Sequence, residues 1–180
     1  MKKTFRFSGT GGQGLITAGI ILAEAGLLDG QNAVQSQSYG PEARGGSSKA
    51  EVILADEPIH FARVTSPGTL LVMSQEAADK FARDCGPDSL VITDSLFVER
   101  VEAKVVRRVD LPITRTATET CGKTLFANIV ALGAVAGLTQ CVSKEALKKA
   151  VLDRVPKGTE AANEKALEAG FSLAANAANR

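Results

Sequence analysis

Apolar residues fall along the chain in two rhythms. Runs of four to six residues, at Thr4–Ser8, Ala33–Gln37, Ala50–Ala55, Thr69–Met73 and Leu90–Thr93, have the length and turn-rich borders of buried strands. Longer segments have helical spacing. Helices are expected over Gly12–Leu28 and near Gln75–Arg83, and one more strand over Lys104–Val109. From Thr114 onward the pattern turns helical: Thr120–Leu138 is apolar nearly all round, Lys144–Arg154 is amphipathic, and Thr159–Ala177 ends the chain, with fraying expected in the alanine-rich "SLAANAANR". Ser143 stands as the N-cap before "KEALKKAVLDR", although Ala146 makes it only half a capping box. The first strand, helix and second strand are spaced as a right-handed βαβ unit. The expected fold class is therefore α/β, a three-layer α/β/α sandwich with a mostly parallel Rossmann-like sheet and a helical C-terminal third, in a single domain over residues 1–180.

Composition narrows what such a domain does. With 180 residues, 44% of them hydrophobic, the chain fills one sizeable core and is short for two. Lys and Arg number 21 against 20 Asp and Glu, a net charge of +1, so neither a nucleic acid nor a membrane surface is favoured as partner. The longest nearly unbroken apolar stretch, Leu125–Leu138, has 14 residues including Asn128, where a membrane helix takes roughly 20; a buried core helix is expected. The N-terminus runs from two lysines into a strand without a cleavable apolar segment, and the expected compartment is the cytoplasm. Cys85, Cys121 and Cys141 lie 36 and 20 residues apart without a CxxC pair, so they are read as packed thiols rather than ligands of zinc or of an iron–sulfur cluster. No metal site and no catalytic residue is assigned. The single histidine, His60, is read as an ordinary surface or edge residue.

Chemistry enters at the first strand-to-helix turn. In "FRFSGTGGQGLITAGIILAEAGLL", Gly9, Gly11 and Gly14 form GxGxxG between a strand and a helix, with Gly12 and Gln13 between them. Glycine costs roughly 0.5–1 kcal/mol relative to alanine in regular structure, so a cluster needs a cause. Tight strand-to-helix packing is one. The other is an anion held by amides at the helix N-terminus, helped by the helix dipole. A nicotinamide cofactor fits poorly. Its ribose-binding acid belongs about 20 residues on, where the chain reads "NAVQSQS", and the first arginine that could serve NADP is Arg44. Another phosphate compound is the better match.

The second informative stretch follows the second strand. "QSQSYGPEARGGSSKAEVILADEPI" places Tyr39, Glu42 and Arg44 among Gly40, Pro41, Gly45 and Gly46, at the sheet edge where open α/β folds gather ligands. A solvated turn uses the same small residues. An aromatic and an arginine in such a loop also suit an intersubunit or substrate-access surface, and that reading is preferred for Tyr39, Glu42, Arg44, Gly45 and Gly46.

Four separated motifs in one order, "GTGGQG", "QSYGPEARGGSSKAEVILADEPI", "LFANIVALGAV" and "NEKALEAGF", resemble the gamma subunit of 2-oxoacid:ferredoxin oxidoreductases, and "SYGPEARGG" looks most like the 2-oxoglutarate (2-oxoglutarate synthase) type. The resemblance implies a holoenzyme that oxidatively decarboxylates a 2-oxoacid to its acyl-CoA and passes electrons to ferredoxin. It further implies thiamine diphosphate and iron–sulfur clusters on alpha, beta and, where present, ferredoxin-like delta subunits. This chain would then be a noncatalytic subunit, inactive alone, for assembly and substrate access, with Gly9, Gly11, Gly12, Gln13 and Gly14 a site for the diphosphate of coenzyme A. The smaller subunit of indolepyruvate oxidoreductase shares the glycine turn, and an independent Rossmann-like nucleotide-binding protein is the reading from outside the family.

Overall fold

The computed structural model describes residues 1–38, 46–103 and 107–179. In chain order it contains β1 (Lys2–Thr10), α1 (Leu15–Leu28), β2 (Asn32–Ser38), β3 (Ser47–Ala55), β4 (Thr69–Val72), α2 (Gln75–Phe81), β5 (Leu90–Asp94), β6 (Arg107–Leu111), α3 (Ile113–Cys121), α4 (Ala127–Thr139), α5 (Lys144–Arg154) and α6 (Glu160–Ala178). The strands form one sheet in the order β2-β3-β1-β4-β5-β6. Alternation within the strands sends side chains to two helical layers. Phe5, Phe7, Val52, Leu54, Leu71 and Ile92 share the large core with α1 and α3–α6. Leu70, Val72 and Val91 face a thinner layer made by Ala77, Ala78 and Phe81 of α2. The expected α/β sandwich with helices on both sheet faces is what forms.

The first βαβ unit is split. β2 does not pair with β1; β3 lies between them, antiparallel to both. Burial explains the order, because all but one residue of β3 are buried whereas β2 is half-buried to exposed along its whole length. The apolar strand takes the interior and the Gln- and Ser-rich one the edge. The sheet is consequently mixed, with parallel pairing from β1 through β4 and β5 to β6.

Two glycine effects move the expected helix ends. Gly12 and Gly14 have φ of 94° and 73°, so α1 starts only at Leu15. Gly122, at φ 75°, ends α3 in the left-handed conformation, its amide donating to the Thr118 carbonyl over 2.9 Å. The apolar segment 120–138 is thereby divided: a 3₁₀ turn over Thr124–Phe126 precedes α4, and Leu125, expected in the core, stands 72% exposed. The last strand begins at Arg107, its expected start at Lys104 being outside the described residues. Elsewhere the local signals hold, since Ser143 Oγ accepts from the Ala146 amide over 3.1 Å and α5 spans Lys144–Arg154.

Two polar devices tie the layers together. Lys3 Nζ donates to the carbonyls of Thr139 and Gln140 over 3.1 and 3.0 Å, setting a cation at the C-terminus of α4. Arg6, 2% exposed, donates through Nε to Glu51 Oε1 and through one terminal nitrogen to the Val64 carbonyl, both over 2.8 Å, while the other reaches Asp84. Its guanidinium also lies 5.7 Å from the Phe81 ring centre. Among the described residues no helix is long and apolar enough to cross a membrane.

Candidate functional site: the glycine turn at the strand switch

β1 and β4 are neighbouring parallel strands whose following helices, α1 and α2, leave toward opposite faces of the sheet. This is the topological switch where an open α/β sheet forms its ligand crevice. The glycine turn crosses it and is held at several points. Gly11 N donates to Gly46 O and Gln13 N to Thr10 O, each over 3.2 Å. Gln13 Oε1 accepts from Thr10 N over 2.7 Å, and its Nε2 donates to Met73 O over 3.0 Å. From α4, Asn128 Nδ2 donates to Gly14 O over 3.2 Å.

The glycines have separate reasons. A Cβ on Gly9 would meet the Gln13 amide oxygen and come within 2.8 Å of Leu15 Cδ1. One on Gly14 would lie 2.6 Å from Asn128 Nδ2. Gly12 differs: it is exposed, and a Cβ there would have nothing within 4 Å. Packing thus accounts for Gly9 and Gly14, and Gly12 is left facing open space. α1 begins three residues further on, at Leu15, without a side-chain cap and without an acid in its first turn, so no side chain of its own offsets the positive end of its dipole.

Gly12 and Gln13 border a cleft of about 300 Å³ whose far wall is Phe97, Thr114, Thr124 and Leu125. Asp94 builds that wall. Fully buried at the end of β5, its carboxylate accepts from Thr114 N over 3.1 Å, from Leu96 N over 3.2 Å and from Thr114 Oγ1. It thereby caps α3, whose own N-cap position is Pro112 and offers no side-chain oxygen. Leu96, Phe97 and Leu125 are all substantially exposed at this end of the sheet. A larger hollow of about 600 Å³ lies at the other end of α1, by Leu28 and Ala150. There Glu24 and Arg154 form a two-point ion pair between α1 and α5, a packing role away from the strand switch.

Of the residues read as site residues, Gly9, Gly11, Gly12, Gln13 and Gly14 form one turn, and Gly46 joins it through its carbonyl. Tyr39, Glu42, Arg44 and Gly45 lie outside the described residues. Asp94, Phe97, Thr114 and Asn128 escaped the sequence reading; the only local signals were an acid ending a buried strand and an amide inside an apolar helix. The thiols are less uniformly packed than expected. Cys141 is buried, while Cys85 and Cys121 are partly exposed, and desolvation pushes all three thiols up. His60 is exposed. Among the described residues no group of three or more His, Cys, Asp or Glu could hold a metal ion.

Comparison with known proteins identifies the class. The family model of pyruvate ferredoxin/flavodoxin oxidoreductase matches residues 4–173, and the chain belongs to that family. The 2-oxoglutarate synthase subunit KorC of Methanocaldococcus jannaschii is 48% identical over 177 residues, covering 97% of this chain and 95% of the relative. Among solved structures, the keto/oxoacid ferredoxin oxidoreductase gamma subunit of Geobacter sulfurreducens is 46% identical with a TM-score of 0.89, covering 98% of both chains. The 2-oxoglutarate:ferredoxin oxidoreductase of Magnetococcus marinus, solved with 2-oxoglutarate, coenzyme A and succinyl-CoA, shares the fold at 23% identity and TM-score 0.86; the match covers 97% of this chain and 31% of that one. The resemblance read from the four motifs is borne out, and the chain is a subunit of a 2-oxoacid:ferredoxin oxidoreductase.

Proposed function

We propose that this chain is the noncatalytic gamma subunit of a cytoplasmic 2-oxoglutarate:ferredoxin oxidoreductase, and that its glycine turn holds the diphosphate of coenzyme A. The name of the KorC relative supports the substrate. For the ligand, the supporting observation is Gly12: it is exposed at φ 94°, just before an uncapped helix and on the rim of a cleft, while the amides of Gly11 and Gln13 and the Gln13 side chain are already used by the protein. An anion there gains amide donors and the helix dipole together. Thiamine diphosphate, iron–sulfur clusters and the electron path to ferredoxin are assigned to partner alpha and beta subunits and, where present, a ferredoxin-like delta subunit. The loop from Ser38 to Gly46 is assigned to the surface facing them, its far end fastened to the turn by the bond from Gly11 N to Gly46 O.

In the assembled enzyme, Gly12→Val is expected to raise the KM for coenzyme A about tenfold or more, because φ 94° is strained for a β-branched residue and its side chain would fill the open approach to the turn; an amide displaced from a charged ligand forfeits about 1.5–3 kcal/mol. The KM for 2-oxoglutarate should hold. Gly30→Val is the matched control, because Gly30 also has a positive φ, 78°, and an open Cβ position, but follows the C-terminal end of α1. Equal KM values for coenzyme A in the two variants would refute the diphosphate site. The purified chain alone is expected to be colourless and to show no 2-oxoacid-dependent reduction of an artificial acceptor. Stoichiometric iron, or turnover with added thiamine diphosphate, would remove the noncatalytic assignment.

A further inference from the structure

We infer that Gln13 is a positioning and specificity residue, a fixed plug that closes the switch-point crevice between β1 and β4 and directs an anionic ligand to the open side of the turn at Gly12. The inference rests on the coenzyme A reading and specifies how the chain's own residues shape that site. Three observations carry it. Gln13 borders the cleft beside Gly12 but offers no free amide atom to it: both its amide atoms are used on Thr10 N and Met73 O, at the carboxyl ends of the two strands that flank the crevice. Space for the plug is provided by Gly9, where any Cβ would collide with the Gln13 amide oxygen. The groups it covers are also the ones that matter to an anion. Met73 O is a carbonyl that would repel a phosphate, and Thr10 N is an amide that would draw one inward.

A dinucleotide-type turn leaves its crevice open for a pyrophosphate. In this chain the same place is occupied by a neutral side chain with its donor on the acceptor and its acceptor on the donor. The ligand is left the outer route, past Gly12 toward Phe97, Thr114 and Leu125. The missing ribose-binding acid after β2 and the plugged crevice are two independent reasons why the turn rejects nicotinamide dinucleotides.

The test uses Gln13→Met, which keeps the length and loses both hydrogen bonds, and Gln13→Glu, which is isosteric, still accepts from Thr10 N and sets a carboxylate oxygen against Met73 O. In the assembled holoenzyme both are expected to raise the KM for coenzyme A by roughly tenfold, Gln13→Glu more than Gln13→Met, as two backbone hydrogen bonds and then a repulsive charge are involved. The KM for 2-oxoglutarate should stay within about twofold, a split that a general loss of fold would not produce. If Gly12→Val raises the KM for coenzyme A and both Gln13 variants leave it unchanged, the plug is refuted and the cradle survives. If none of the three variants moves it, the coenzyme A reading falls as well. Loss of assembly in Gln13→Met alone leaves the isosteric Gln13→Glu to decide; loss in both variants, with the subunit still folded, would overturn the inference in favour of an interface role.

Discussion

Arg6→Met is expected to destabilise the chain by about 3–5 kcal/mol, the range seen when one partner of a buried ion pair is removed. The magnitude follows from what is left behind. Glu51, almost fully buried, would retain among the described residues only Lys49 Nζ at 3.1 Å, and the Val64 carbonyl would lose its donor. Asp84 is half exposed and can turn to water, so its share of the loss is discounted for solvent screening. The same residues carry Phe81, whose ring has the cations of Arg6, Lys49 and Lys80 within 5.9 Å and anchors α2 to the sheet. Denaturant unfolding of the purified chain measures the effect. The double variant Arg6→Met/Glu51→Leu should recover a substantial part of it, because an apolar replacement of both partners leaves no orphaned charge. A single variant within about 1 kcal/mol of the parent would show that the pair is solvated in solution.

Gly170→Ala is the second large effect, and here two physical terms oppose each other. Alanine favours a helix over glycine by about 1 kcal/mol. Against that, a Cβ on Gly170 would collide with the Val130 carbonyl and come within 2.8 Å of Ala134 N and 2.9 Å of Gly133 Cα, all of them backbone of α4. Backbone cannot rotate away as a side chain can, so α4 and α6 have to separate; a net loss on the order of 3 kcal/mol is expected, the upper end of overpacking. Gly26→Ala is the contrast, since the atoms it would meet belong to the Leu54 side chain, which has rotamers to use. The two variants, followed by thermal unfolding, should differ clearly, with Gly170→Ala the less stable. Separation of α4 would also draw Asn128 off Gly14 O; if the turn holds coenzyme A as proposed, enzyme assembled with residual folded Gly170→Ala subunit should show a raised KM for it.

Much of this architecture could be read from local signals. The strand runs, the Ser143 cap and the bounds of α5 are short-range features, and short-range patterns report them directly. The small residues Gly133 and Gly137 permit the close approach of α4 to α6, whose backbone and side chains a Cβ at either position would meet. What stayed hidden is long-range. Nothing within "FRF" says that Arg6 meets a glutamate 45 positions later, and pairing of β3 with both β1 and β2 is decided by which strand has more surface to bury. The break at Gly122 was present as a single glycine inside an apolar run, where periodicity outweighed it. In the turn, the GxGxxG spacing located the strand-to-helix junction but not the direction of its side chains: Gln13 counts as a free polar residue until Met73 O and Thr10 N are seen to occupy it.

The fastening of the glycine turn also has an entropic consequence. A flexible phosphate-binding loop must be ordered when its ligand arrives, and that ordering weakens binding. Here the turn is held by backbone bonds from Gly11 and Gln13 and by the side chains of Gln13 and Asn128, all of them contacts within the chain itself. The conformational cost of about 1–2 kcal/mol per fixed backbone residue therefore falls on folding of the subunit. A diphosphate bound at Gly12, as proposed, would then meet a turn already fastened by the chain's own contacts, with little backbone left to order.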